Sequence, residues 1–356
     1  MPKTSTCLKV PKNQGEKAIA SANEHGLIDK SLGIQHGESH LCIPLIRRPK
    51  ETELATLKSK IPETQVSTGT FTEKTRPAKT LIQALQNQIP PHLLVDLPQA
   101  LDVIGDIAII EIPSALKSHK QAIGEAILRI HKNIHTVLTK AGDISGTYRI
   151  RDYTFIAGEH KTQTIHREFG CQFHVDISKA YFSPRLSHEH QRVASLVQSC
   201  ETVVDLFAGV GPFSVMIAKK NPNIKVYAVD LNPDAVELLT VNVRVNRVDN
   251  RVFPILADAR EIAQTKLIDS ADRVIMNLPE TAIDFVDAAC QAIKRQGGII
   301  HFYAFIRSPD STENLAQRLT EKVEKTGRKV EAFLYSKSIR ETAPFESQVV
   351  LDTKIA

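Results

Sequence analysis

The chain has 356 residues, of which 42% are hydrophobic and 24% charged, and a formal net charge of +5. That length suits two or three domains with substantial cores. No apolar run approaches the roughly 18 residues of a membrane span, and the N-terminus lacks the apolar stretch of a signal peptide. Five scattered cysteines (Cys7, Cys42, Cys171, Cys200 and Cys290) form no CxxC pair. This argues against a disulfide framework or a cysteine metal site and for a cytoplasmic protein in a reducing compartment.

Residues 1–80 carry 13 Lys+Arg against 8 Asp+Glu, and residues 81–114 carry none against 4. Residues 115–200 carry 12 against 7 and hold eight of the 13 histidines, whereas 201–356 are nearly neutral at 20 against 21. A basic excess upstream of a neutral segment suits an RNA-binding apparatus placed before a catalytic domain. Solvated lysines without a partner would give the same balance. The histidines show no coherent zinc spacing.

In chain order, residues 1–45 read as a small α/β domain. Glu16 to Gly26 has helical periodicity, and Leu41 to Leu45 reads as a closing strand. Residues 46–78 are rich in Lys, Arg, Thr, Glu and Pro and read as a flexible linker. Residues 79–185 read as an α+β middle domain for RNA binding. Its strand pattern at Val103 to Ile112 is broken at Gly105-Asp106. From Ser114 a long amphipathic helix is predicted, with Ile123, Ile127, Ile130, Ile134 and Val137 on one face. Extended segments are predicted at Tyr148 to Tyr153, Thr162 to Glu168 and Gln172 to Ile177.

Residues 186–356 read as a doubly wound α/β domain. Val203 and Val204 lead into Asp205, then a Phe207-Ala-Gly209-Val-Gly211 loop and a helical pattern. Glycines there let a ligand approach the backbone closely. A second strand, Val226 to Val229, ends at Asp230, 25 residues after Asp205, where an acidic side chain is placed for a ribose. Leu231 follows it. Phe253 to Leu256 lead to Asp258-Ala259, and Arg273 to Met276 lead to Asn277-Leu-Pro279. A fifth strand is predicted at Ile299 to Ala304, a helix at 312–326, and a final antiparallel pair near 329–335 and 346–352. The dinucleotide fingerprint wants a third glycine where this chain has Ser214. Four consecutive strand ends with Asp205, Asp230, Asp258 and Asn277 resemble a class I (Rossmann-like) methyltransferase using S-adenosylmethionine.

The loop after the fourth strand bears on the methyl acceptor. Asn277-Leu-Pro-Glu280 lacks the aromatic of adenine amino-methyltransferases. Cys290, in a helical pattern, reads as core and not as the nucleophile of a cytosine-C5 enzyme. Upstream stand Tyr148-Arg-Ile-Arg151, Ala157-Gly-Glu159, Val175-Asp176 and Tyr181-Phe-Ser-Pro-Arg185-Leu-Ser-His-Glu189-His190-Gln-Arg192. With Asn277-Leu-Pro279 they resemble the archaeal and eukaryotic tRNA guanine-37 N1-methyltransferase family, in its three-domain archaeal form, over nearly the whole chain.

The resemblance implies methylation of N1 of guanosine 37 in tRNA, with the base flipped into the pocket. It implies Glu189 as general base and Arg149 as the group that stabilises the O6 charge, although Arg151 could exchange roles with Arg149. Ser187 reads as the N-cap that puts Glu189 in a first helical turn, where a carboxylate is favoured. Asn277 would touch the guanine edge or the cofactor, and Tyr181, Arg185 and Arg151 would bind substrate. His190, Asp205, Phe207, Gly209, Gly211, Asp230, Leu231, Asp258, Ala259 and Pro279 would form the cofactor pocket, with Asp230 on the ribose and Asp258 on the adenine amino group. The small first domain would contact the outer corner of the tRNA, and the chain is expected to be a monomer. Some relatives also methylate a tricyclic wyosine precursor, and a related scaffold transfers an aminocarboxypropyl group. The chain departs from the family at Glu280, where lysine or a small polar residue is common.

Overall fold

The computed structural model describes residues 2–74, 78–142, 146 and 148–356, which fall into two compact units, one up to Lys79 and one from Thr80. In the first, β1 (Pro2–Pro11), α1 (Gly15–Glu24), β2 (Gln35–His36), β3 (His40–Pro44), α2 (Glu51–Lys60) and β4 (Gln65–Thr72) build a sheet of order β2-β3-β1-β4. All its pairings are antiparallel.

The expected linker at 46–78 is instead part of this unit. β4 pairs with β1 over eight residues, Phe71 is fully buried, and α2 supplies Leu57 with Ile61 just beyond it. Three well-spaced apolar side chains are enough to fix a helix and an edge strand whose other faces are wet, which is why the composition reads as linker. Thr75 to Pro77 of that segment lie outside the described residues.

The second unit begins with α3 (Leu81–Leu85), β5 (Asp102–Ile104) and β6 (Ile107–Ile110). Next come α4 (Lys120–Ile130), β7 (Thr136–Lys140) and β8 (Tyr153–Gly158). The strands form a sheet of order β5-β6-β7-β8 covered by α4. The predicted helix from Ser114 to Val137 is shorter than its periodicity suggests. Ser114–His119 is a 3-10 segment, the α-helix stops at Ile130, and Val137 lies in β7. Ile134 and Val137 still point into the same core as Ile123 and Ile127, so tertiary packing preserved the spacing without the helix. Of the expected extended segment from Tyr148, only Tyr153 is strand.

Gly158 closes β8 at φ +90°, where an added Cβ would run into the His135 backbone carbonyl oxygen. Gly158→Ala should therefore cost at least about 2–3 kcal/mol of stability, combining left-handed backbone strain with a clash against main chain. Urea unfolding measures this, and a midpoint unchanged from wild type would show that the β8 end relaxes freely.

The hairpin β9 (Gln163–Glu168) and β10 (Cys171–Asp176) leads through α5 (Ser187–Leu196) into the main sheet. There β11 (Thr202–Asp205), α6 (Pro212–Lys220), β12 (Lys225–Asp230), α7 (Pro233–Val245), β13 (Val252–Leu256) and α8 (Ala259–Thr265) follow in order. β14 (Arg273–Met276), α9 (Val286–Ala292), β15 (Gly298–Arg307), α10 (Thr312–Glu324), β16 (Val330–Ala343) and β17 (Glu346–Ile355) complete it. The order is β13-β12-β11-β14-β15-β17-β16, parallel from β13 to β15 and antiparallel beyond. Sequential strands run outward from β11 on one side and from β14 on the other, so the topological switch lies between them, where α/β sheets open a crevice at their carboxyl ends.

The expected division at 185/186 does not separate two compact units. Asn242 on α7 and Asn246 at its C-cap, one turn apart, accept from the backbone N–H groups of His174 and Gln172 and donate back to their carbonyls. Two side-chain amides thus act as a short surrogate strand and tie β10 to the main sheet.

Candidate active site

The crevice at the carboxyl ends of β11, β12 and β14 opens into a cleft of about 800 Å³. Thirteen of the sixteen expected site residues line it: Arg149, Arg151, Tyr181, Arg185, His190, Phe207, Gly209, Asp230, Leu231, Asp258, Ala259, Asn277 and Pro279. Glu189, Asp205 and Gly211 stand behind its wall.

The glycine loop explains how the sheet offers backbone to a ligand. Gly209 and Gly211 both have left-handed φ, +55° and +88°. A Cβ on Gly209 would meet nothing closer than the Tyr181 carbonyl oxygen at 3.8 Å, so that face is open. The Gly209 N–H donates to Asp230 Oδ2 at 2.7 Å, and Asp230 Oδ1 accepts from the Asn232 N–H at 2.9 Å. The carboxylate at the end of β12 therefore locks the loop after β11 as well as facing the cleft. Asp258 Oδ1 caps α8 by accepting from Arg260 and Glu261. Its Oδ2 carries no hydrogen bond among the described residues.

Among the described residues, two buried oxygens in this region lack a hydrogen-bond partner, Asn277 Oδ1 and Asp205 Oδ1. A buried acceptor without a donor costs on the order of 1–3 kcal/mol, so Asn277 Oδ1, on the cleft, is poised for a ligand's donor. Asp205 Oδ2 accepts from Ser214 Oγ at 2.8 Å. Burial, reinforced by the charge of Asp230, pushes the Asp205 carboxyl up to about 7. A carboxyl raised in the folded state stabilises the fold at low pH and loses that contribution as pH climbs from about 4 through 7. Asp205→Asn should then gain on wild type in the ligand-free state as pH rises from 5 to 8, by up to ~2.5 kcal/mol, since only the part of the rise between pH 5 and about 7 falls in that range. Urea unfolding of both proteins at the two pH values tests this. A gap that does not change with pH would place the Asp205 carboxyl near its ordinary value.

Glu189 lies in the first turn of α5 and is 7% exposed. Ser187 is not the N-cap. A 3-10 turn at Pro184–Leu186 runs straight into the helix, Leu186 takes the cap position, and no side chain caps it. The Glu189 carboxylate accepts from Arg192 Nε (2.6 Å) and Nη2 (2.9 Å) and from the Tyr303 hydroxyl (2.9 Å). Arg192 also donates to both oxygens of Asp352, at 2.6 and 3.2 Å. His301 completes the chain. Arg273 can only donate to its Nε2, so Nδ1 donates to Asp352 at 2.7 Å. Burial alone would raise the Asp352 carboxyl, but His301 and Arg192 hold it at about 2. Burial and the charge of Glu189 push the Tyr303 hydroxyl well above its usual range. Of these residues the sequence reading singled out only Glu189. Arg192 is the one with a local signal, three residues along the same helix.

His190 faces the cleft with its side chain 1% exposed, and its Nδ1 lies 2.7 Å from Glu168 Oε2. Burial would raise the Glu168 carboxyl, but hydrogen bonds from His166 and His190 outweigh it and keep it below the ordinary carboxylate range. Arg149, at φ +55°, forms a two-pronged ion pair with Glu280, Nη1 to Oε2 at 2.6 Å and Nη2 to Oε1 at 2.8 Å. Arg185 pairs with Asp102. The C-terminal hairpin contributes Arg340, which sequence reasoning missed because those strands carry no motif. It reaches Ser183 Oγ at 3.2 Å and Gln348 Oε1 at 2.9 Å beside the cleft. Among the described residues no cluster of His, Cys, Asp and Glu could hold a metal, and no helix is long and apolar enough to cross a membrane.

Comparison with known proteins places this geometry. Residues 164–333 match the TRM5/TYW2 methyltransferase domain, 81–162 the TYW2 N-terminal domain, and 7–53 the tRNA methyltransferase 5 N-terminal domain. The chain is 38% identical over 349 residues to the tRNA (guanine(37)-N(1))-methyltransferase Trm5b of Pyrococcus abyssi, covering 98% of each chain. It superposes on the complex structure of aTrm5 and tRNALeu with a TM-score of 0.76 at 31% identity, covering 98% of this chain and 99% of that one. It also matches Methanocaldococcus jannaschii TYW2 in complex with AdoMet, with a TM-score of 0.56 at 30% identity, covering 72% of this chain and 99% of that one.

Proposed function

The chain belongs to the TRM5/TYW2 methyltransferase family, and on that premise we propose that it methylates N1 of guanosine 37 in tRNA with S-adenosylmethionine. The observation that carries this reading is end-to-end similarity to a guanine-37 enzyme together with one cleft holding Asn277, Arg149 and Tyr181.

The residues present fit the cofactor. Gly209 leaves backbone open, Asp230 and Asp258 face the cleft for the ribose hydroxyls and the adenine amino group, and Asn277 Oδ1 awaits a donor. When bound, S-adenosylmethionine supplies an electrophilic methyl group. The protein's task is the proton on guanine N1, which must leave as the new N–C bond forms. Glu189 accepts it. Of its four lone-pair positions three are filled by Arg192 and Tyr303, leaving one on Oε1. Reaching the base requires the carboxylate to turn partly from Arg192 toward the cleft. As the proton departs, negative charge grows on O6, where Arg149 stabilises it as an oxyanion-type donor. Tyr181, 40% exposed in the cleft, and the Arg151 and Arg185 side chains hold the flipped base and its backbone.

Residues 80–356 take the anticodon loop, and the unit up to Lys79, with its share of the basic excess, takes the outer corner of the tRNA. The chain works as a monomer in the cytoplasm, since one chain carries every part the tRNA needs. Nucleoside mass spectrometry of an unmodified transcript incubated with protein and cofactor tests the reaction. N1-methylguanosine should appear and should vanish when guanosine 37 is replaced by adenosine. Cofactor binding without any methylguanosine would refute it.

A further inference from the structure

Glu280 meets Arg149 at the cleft, and its own role rests on the O6 role of that arginine. Arg149 sits near the end of the twelve-residue span between β7 and β8, at a left-handed φ of +55°. Its own backbone N–H reaches only the Gly146 carbonyl at 3.1 Å. Among the described residues of its own segment, none pairs with the guanidinium. Glu280 belongs to a firm turn. The Thr281 and Ala282 N–H groups donate to the Leu278 carbonyl at 3.1 and 2.8 Å, and the Phe305 N–H of β15 donates to the Pro279 carbonyl at 3.1 Å. The turn therefore moves with the main sheet, and both side chains line the same cleft.

We propose that Glu280 is a positioning residue that holds the Arg149 guanidinium for the developing O6 charge. The pair is end-on, using Nη1 and Nη2. An end-on carboxylate leaves the other fork of the guanidinium, Nε–H with the second Nη2–H, to meet an oxygen. Among the described residues that fork has no acceptor. Glu280 thus orients the arginine without occupying the hydrogens that the substrate oxygen needs. The pair spans 131 residues of sequence and ties the segment before β8 to the turn after β14.

The test is a double-mutant cycle on the full chain with tRNA transcript and saturating cofactor, reading kcat, KM for tRNA and the melting temperature. Misplacing a catalytic group by about an ångström costs up to ~10²-fold. Glu280→Ala should lower kcat roughly ten- to hundredfold while KM stays within about threefold, and Glu280→Asp should recover part of the loss. In an Arg149→Ala background the Glu280→Ala change should add less than about twofold, because the arginine it positions is gone. Full additivity of the two losses, or an unchanged kcat in Glu280→Ala, would overturn the proposal. An unchanged kcat in Arg149→Ala alone would instead remove the premise that Arg149 serves O6, and the two failures are told apart in one experiment.

Discussion

Glu189→Gln should reduce kcat for N1 methylation of guanosine 37 by roughly 10²–10⁴-fold, the range for loss of a general base. Cofactor affinity should hold, because the carboxylate lies behind the cleft wall and not in it. Gln keeps one acceptor oxygen, placed either for Arg192 Nε or for Arg192 Nη2 with the Tyr303 hydroxyl, and cannot take the N1 proton. Single-turnover methyl transfer, run beside cofactor titration and thermal melting, separates chemistry from fold. If the variant retained more than a tenth of the wild-type rate, the carboxylate caged by Arg192 and Tyr303 would be a structural anion and the base would have to be sought elsewhere. The variant also bears on Arg192. With Asp352 and Glu189 both accepting from it, one guanidinium pairs with two buried carboxylates, so removing the charge on Glu189 leaves Arg192 still paired.

Arg149→Ala carries the second large effect. Removing a single donor to a developing oxyanion typically costs ~2.7–4 kcal/mol, or about 10²–10³ in kcat. The loss should appear in kcat more than in KM, since O6 is nearly neutral in the ground state. Arg151, two residues away and also on the cleft, is the internal control. Arg151→Ala should raise KM for tRNA and spare kcat if its partner is phosphate. The reverse pattern, kcat lost with Arg151 and kept with Arg149, would exchange their roles.

The α/β sheet was legible in the sequence because parallel strands buried on both faces read as short apolar runs, each ending on a polar residue. Val203-Val204-Asp205 and Val274-Ile275-Met276-Asn277 are such runs, and they became β11 and β14 with their loops on the cleft. Elements held by few apolar contacts were not legible. α2 and β4 lean on Leu57, Ile61 and Phe71, and their remaining residues are those of a linker. The helix from Ser114 was overextended because Ile134 and Val137 keep helical spacing after the chain has turned into β7. At α5 the hydroxyl of Ser187 suggested a cap that a preceding 3-10 turn made unnecessary.

The sequence by itself determined which side chains can do chemistry here. Strand-end carboxylates, the glycine loop, Asn277-Leu-Pro279 and the Tyr181-to-Arg192 string are local patterns, dictated by backbone conformation and by residue type within a few positions. Tertiary structure alone decided how those groups are set. Tyr303 and Asp352 are 114 and 163 residues from Glu189 in sequence, yet Tyr303 and Arg192, itself held by Asp352, fix the orientation of the carboxylate. Glu280 reads as an oddity in its loop until folding brings it to Arg149. The physical reason is the same in both cases. A buried or half-buried charge is tolerable only when an opposite charge or donor meets it, and that partner is chosen by the packing of strands, with no trace in the sequence nearby.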